Sequence, residues 1–139
     1  MSKLQAFLNK NIIEEITEDV FVSNRFKDEE TGEILKFKIR SVPLSEYKKI
    51  QKACTKITKT GAEFDNVTFA EKIVIEGTVD PNFKDAESAK LANCVGANAP
   101  TQYLYKVLKS GEVISLSEKI LILSGFGEDM EDLVEEAKN

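Results

Sequence analysis

The stretch Val20-Phe21-Val22-Ser23-Asn24-Arg25-Phe26-Lys27-Asp28-Glu29-Glu30-Thr31-Gly32-Glu33-Ile34-Leu35-Lys36-Phe37-Lys38-Ile39-Arg40 decides the fold class. Successive side chains of a strand point to opposite faces, so a strand with one buried face reads apolar at every second position. Leu35, Phe37 and Ile39 alternate in this way with Lys36, Lys38 and Arg40, while Val20, Val22 and Phe26 share a face of the preceding run. Asp28 to Glu33, rich in turn-forming residues and holding Gly32, connects the two runs. The expectation is an antiparallel hairpin over about residues 20–26 and 34–42, with Leu35, Phe37 and Ile39 buried and Lys36, Lys38 and Arg40 in solvent. Such a hairpin is marginal alone in water, so its apolar face needs a cover.

The cover is helical. Beyond Pro43, Tyr47, Ile50, Cys54 and Ile57 recur at helical spacing and predict one core-facing stripe. Residues 58–65, with Gly61, break it, and Asp65 or Asn66 caps a helix that carries Phe69, Ile73 and Val74 and ends near Gly77. Pro81 marks a connection and disfavours helical geometry at Asp80. A short helix is expected from about Asp85 to Ala92, and another from Thr101 to Lys109 that stops at Gly111. Ser115 or Ser117 is expected to cap a further helix with Leu116, Ile120 and Leu123, ending at Gly125. The fold class is therefore α+β, an N-terminal antiparallel β-hairpin packed on a predominantly helical set of short helices, with residues 1–139 forming one domain.

Both ends carry amphipathic segments. Leu4, Phe7 and Leu8 lie on one face of a short N-terminal helix, so residues 1–15 read either as a helix docked on its own domain or as a mobile arm that binds a partner. Residues 126–139 are expected to form an acidic amphipathic helix in which Phe126, Met130, Leu133 and Val134 share a stripe. Glu135 and Glu136 stand at the negative end of that helix's dipole, an unfavourable placement. A helix of about a dozen residues so charged frays unless it docks or continues.

Charge and composition narrow the function. Six acids and one base between Phe126 and Asn139 give −5, equal to the net charge of the whole chain, so the remainder is balanced and has no basic excess for a phosphate backbone. Nucleic-acid binding is disfavoured. No apolar run approaches the ~18–20 residues of a membrane span, and the N-terminus lacks the apolar core of a signal peptide, which points to the cytoplasm. The chain has no histidine, which removes the usual neutral-pH general base and the common nucleophile pairs. Its seven glycines are scattered, so no phosphate-cradling loop is present. Cys54 and Cys94 are expected to be buried free thiols, with a single disulfide as the alternative, and two cysteines without histidine do not make a zinc site. No catalytic, cofactor-binding or metal-ligating residue is assigned, and the chain is read as a non-enzyme.

Several segments in consistent order resemble the XkdN-type tail assembly chaperones of contractile-tailed phages and defective prophages. They are Arg25-Phe26-Lys27-Asp28, Pro81-Asn82-Phe83-Lys84-Asp85-Ala86-Glu87, Gly96 with Pro100, Leu108-Lys109-Ser110-Gly111-Glu112 with Leu116, Leu123-Ser124-Gly125-Phe126, and Ala137-Lys138-Asn139. The resemblance implies a chaperone that works in the host cell, is absent from the mature virion, binds the tape measure protein and helps bring tail tube subunits to it. It also implies a longer product made by a −1 ribosomal frameshift, and Ala137-Lys138-Asn139 can be spelled with a slippery heptamer. Leu4, Phe7, Leu8, Phe126, Met130, Leu133 and Val134 are the candidate partner-binding residues, because a helix with an apolar stripe suits a groove-forming partner. The competing readings are a structural tail protein (tube or terminator subunit), expected to be dominated by sheet, and a small regulatory protein-binding domain.

Overall fold

A computed structural model describes residues 3–11 and 14–126, with the backbone alone at 9–11. Helix α1 spans Lys3–Asn11, and the hairpin that follows pairs β1 (Thr17–Val20) with β2 (Phe37–Arg40), Thr17 opposite Arg40 and Val20 opposite Phe37. Phe37 and Ile39 are buried and Lys36 and Lys38 exposed, as the alternation requires. At the tip, the Asp28 carboxylate accepts from the Glu30 N–H at 2.8 Å, and Gly32 takes a left-handed φ of 74° that closes the turn.

The hairpin departs from expectation in two places. Between the Val20–Phe37 pair and the isolated bridge of Lys27 to Ile34, residues 21–26 stand opposite only 35 and 36. The first run therefore arches out instead of continuing as a strand, and alternation does not carry across such an interruption. Leu35, expected inside, is consequently exposed. Arg40, expected in solvent, is drawn inward: its Nε donates to the Glu76 carbonyl at 3.0 Å and its Nη2 to Glu46 Oε2 at 2.7 Å.

Those two partners belong to the next helices. α2 (Leu44–Ala53) buries Ile50, but it ends before Cys54 instead of running on to Ile57. Thr55, Ile57 and Thr58 are β-branched and prefer extended backbone, and Gly61, at φ 137°, permits the return. They form a second hairpin, β3 (Thr55–Thr58) with β4 (Gly61–Phe64), which leaves Ile57 exposed where a core position was expected. α3 (Asn66–Gly77) begins where Asp65 accepts from the Thr68 N–H at 3.0 Å, the expected cap.

α3 passes directly into β5 (Thr78–Asp80), which joins the free side of β2 and makes the sheet order β1-β2-β5. The sequence reads this segment as a connection, since three residues are too few to show alternation. α4 (Ala86–Leu91), α5 (Ala99–Val107) and α6 (Ser110–Leu121) follow, and a wider turn over Ile122–Phe126 ends with Gly125 at φ 102°. Gly111 does not terminate a helix but sits in the first turn of α6. Neither Ser115 nor Ser117 caps that helix. Its start is held by Glu112, whose carboxylate accepts from the Lys109 N–H at 2.8 Å.

α3 is the central helix and packs on α6, α2 and α5. Ile73, Val74, Leu104, Leu116, Ile120 and Phe83 meet Phe37 and Ile39 in one continuous core. The α+β class is as the sequence predicts. Beyond residue 60 the described strands are β4, of 4 residues, and β5, of 3, far from the sheet a tube subunit needs.

Two local features give measurable consequences. Cys54 and Cys94 are free and buried, and burial pushes the Cys54 thiol up from its ordinary value. An aromatic disulfide reagent is therefore expected to label both thiols only as fast as the protein unfolds, and stoichiometric labelling of the native chain would contradict this core. Glu112 also pairs with Arg25 of the arched hairpin. Burial alone would raise its carboxyl, but the Lys109 N–H, Arg25 and Ser23 outweigh burial and hold it below the ordinary carboxylate range. A depressed folded value means stability that is present above the unfolded value and lost as pH falls through the folded one. Glu112→Gln is expected to cost about 1–2 kcal/mol at neutral pH, with the gap to wild type closing in acid. Urea midpoints at the two pH values would show this, and a gap independent of pH would contradict it.

Candidate partner-binding site

Two apolar surfaces stand out, one on α1 and one that gathers aromatic side chains from four elements. On α1, Leu4 and Phe7 are 66% exposed and Leu8 51%. Their i, i+3, i+4 spacing puts them on one helical face. An exposed apolar face of this kind carries a free-energy gain for whatever covers it, about 1.5–3 kcal/mol per large side chain fully buried.

The second surface is aromatic. Phe126 stacks on Tyr47 of α2 with centroids 4.9 Å apart, Tyr47 meets Phe69 of α3 edge-on at 5.7 Å, and Phe69 meets Phe64 of β4 at 5.2 Å. Phe126 and Phe64 remain 53% and 42% exposed, so the row is open at both ends. Met130, Leu133 and Val134, the other expected members of the Phe126 stripe, lie outside the described residues. Sequence reading missed this row, because its members come from four separate elements and each looks locally like core or turn. The one signal in the chain was Phe64 itself, a large aromatic in a segment otherwise made of turn residues.

A concavity of about 450 Å³ lies between α3, α5 and α6, lined by Val67, Glu71, Tyr105, Leu108, Val113 and Ile114. Across it the Tyr105 hydroxyl donates to Glu71 at 2.8 Å, which raises the tyrosine above its ordinary value. The Asp65 carboxyl is lowered by the Thr68 hydroxyl and N–H, a cap interaction. Among the described residues, no three His, Cys, Asp or Glu side chains are grouped to hold a metal ion, and no helix is long and apolar enough to cross a membrane. The shifted groups thus have structural partners, and the exposed features of these surfaces are apolar and aromatic. What they can do is hold another apolar surface.

Comparison with known proteins identifies the lineage. The chain is 30% identical to the uncharacterized protein YqbN of Bacillus subtilis strain 168 and 28% identical to the phage-like element PBSX protein XkdN of the same strain, in each case over 98% of this chain and 93% of the relative. The crystal structure of YqbN superposes with a TM-score of 0.67 at 24% identity, covering 91% of this chain and 98% of that one, which establishes the shared fold. Residues 4–138 match the family described as phage XkdN-like tail assembly chaperone protein. The hairpin, the α3-centred core and the match along nearly the whole chain agree, and the protein belongs to the XkdN-like phage tail assembly chaperone family.

Proposed function

We propose that this chaperone acts by binding alone, without catalysis, and that its client is the tape measure protein, a long helical rod with apolar stripes. The observation that carries the reading is the exposed Leu4-Phe7-Leu8 face of α1. A helical rod made before its tube would expose apolar stripes to water and aggregate, and an amphipathic helix is the complementary element. On this reading the chaperone works in the host cytoplasm and is absent from the mature virion. The stripe of Phe126, Met130, Leu133 and Val134 is a second client surface, and recruitment of tail tube subunits is the later step. A longer product sharing nearly all of this chain is part of the same proposal, tested by the spelling of the codons for Ala137-Lys138-Asn139 and by a second immunoblot band.

The direct test is co-expression. With this chain present, the tape measure protein is expected in the soluble fraction and in complex with it. Equal solubility with and without the chain would count against the client, and association with the tube protein alone would favour a structural partner instead.

A further inference from the structure

The concavity between α3, α5 and α6 is lined by one carboxylate, Glu71, and by no other charged residue. Its volume of about 450 Å³ falls within the range of ligand sites, about 300–1,000 Å³. Leu108 and Val113 are buried in it, while Val67, Tyr105 and Ile114 stay exposed around them. The described residues include four half-buried glutamates, Glu46, Glu71, Glu76 and Glu112. Glu46 and Glu112 each meet an arginine, and Glu76 meets an arginine and a lysine. Among the described residues no cation pairs with Glu71, whose Oε1 accepts from the Tyr105 hydroxyl. The charges that reach that hydroxyl, Glu71 and Asp65, are both negative. Lys106, next to Tyr105 in the chain, is bonded to the Ala92 carbonyl.

We propose that this groove docks a helical segment of a partner that carries a leucine or phenylalanine one turn away from an arginine. The apolar side chain enters between Val67 and Ile114, and the guanidinium donates to Glu71 and lies against the exposed Tyr105 ring. Residues i and i+4 of a helix share a face, so one segment supplies both. The charge decides the occupant. A purely apolar cover would bury Glu71 further with nothing to offset its lost hydration, whereas a cation brought by the partner restores a charge-assisted hydrogen bond. A lysine would match the charge, but the planar guanidinium both hydrogen-bonds the carboxylate and stacks on an aromatic ring. The groove shares no residue with the exposed face of α1. The proposal rests on the reading of this chain as a binder of helical partners, and the tape measure protein need not be the partner.

A synthetic helical peptide of about 15 residues, with leucine and arginine at i and i+4, titrated into the methyl-labelled full chain tests this. The Val67, Val113 and Ile114 methyl resonances are expected to shift together, while those of Leu4 and Leu8 stay in place. Replacing the peptide's arginine by glutamine is expected to weaken binding roughly five- to tenfold, the size of one partly screened charge-assisted hydrogen bond. Against Glu71→Gln, which keeps an acceptor for the Tyr105 hydroxyl, the two peptides should bind alike. Equal affinity of both peptides for the wild-type chain would overturn the proposal, and that comparison needs no variant of the protein. So would an arginine preference that survives in Glu71→Gln, or groove methyls that do not shift at about millimolar peptide. Shifts confined to the α1 methyls would assign the peptide to the α1 face and overturn it. Groove shifts that follow protein concentration without peptide would give the groove to a second copy, with the same result. Co-expression with the tape measure protein is scored separately, so failure of that client leaves the peptide result standing.

Discussion

Ile120→Ala is expected to lower stability by about 2–5 kcal/mol, a large part of the roughly 5–15 kcal/mol typical of a whole domain. Ile120 is fully buried on α6 and packs against the end of α3 at Gly77. Gly77, the last residue of α3, makes that approach feasible: a Cβ added there would lie 2.5 Å from Ile120 Cγ2 and 2.8 Å from its Cδ1. Because Ile120 is β-branched and enclosed, it cannot swing away, and Gly77→Ala is expected to cost about 1–3 kcal/mol despite the helix propensity that alanine brings. The two positions share one volume, so their effects should not add. In Gly77→Ala/Ile120→Ala the removed side chain leaves room for the new methyl, and the double variant should be more stable than the sum of the singles by about 1 kcal/mol or more. Urea unfolding of the four proteins measures this. Strict additivity would mean that α3 and α6 do not pack as described.

Phe7→Ser/Leu8→Ser is expected to abolish or nearly abolish client solubilisation while leaving the unfolding midpoint within the error of wild type. Both side chains are more than half exposed on α1, so the native core loses little when they go. Two large apolar side chains fully buried by a client stabilise the complex by about 3–6 kcal/mol, so removing them weakens affinity by about a hundredfold or more. A variant that loses stability as well as function would place α1 in this protein's own core. Unchanged solubilisation would move the client surface away from α1.

The parts legible in the sequence are those where one local pattern governs. Phe37 and Ile39 alternate with lysines, and the Asp65 cap, the stop at Gly77 and the turn at Gly125 each follow from one or two residues. The errors arise where a non-local partner decides. Arg40 looks like one more basic residue of a solvated face, yet Glu46 and Glu76 arrive from other elements to pull it inward. Ile57 continues a helical stripe numerically, but Gly61 and the pairing of Thr55 with Phe64 convert the segment to a hairpin. Gly111 resembles the terminator of the preceding helix until Glu112, one residue later, is seen to cap a new helix in whose first turn Gly111 lies. Of the candidate site, the apolar stripe on α1 is visible from spacing, whereas its exposure is not, because spacing alone leaves open whether the helix docks on its own domain. The aromatic row from Phe64 to Phe126 is not visible either, because contacts among four elements leave no period in the chain.

The central claim, that the exposed face of α1 holds the tape measure protein, is tested most directly by a photocrosslinking benzoylphenylalanine placed at position 7 of the full chain and irradiated in cells making the tail proteins. The account predicts one dominant adduct at the combined mass of this chain and the tape measure protein, lost when Leu4 and Leu8 are made polar. Adducts confined to this chain's own core, or captured by the tail tube protein with the tape measure protein present, would contradict it.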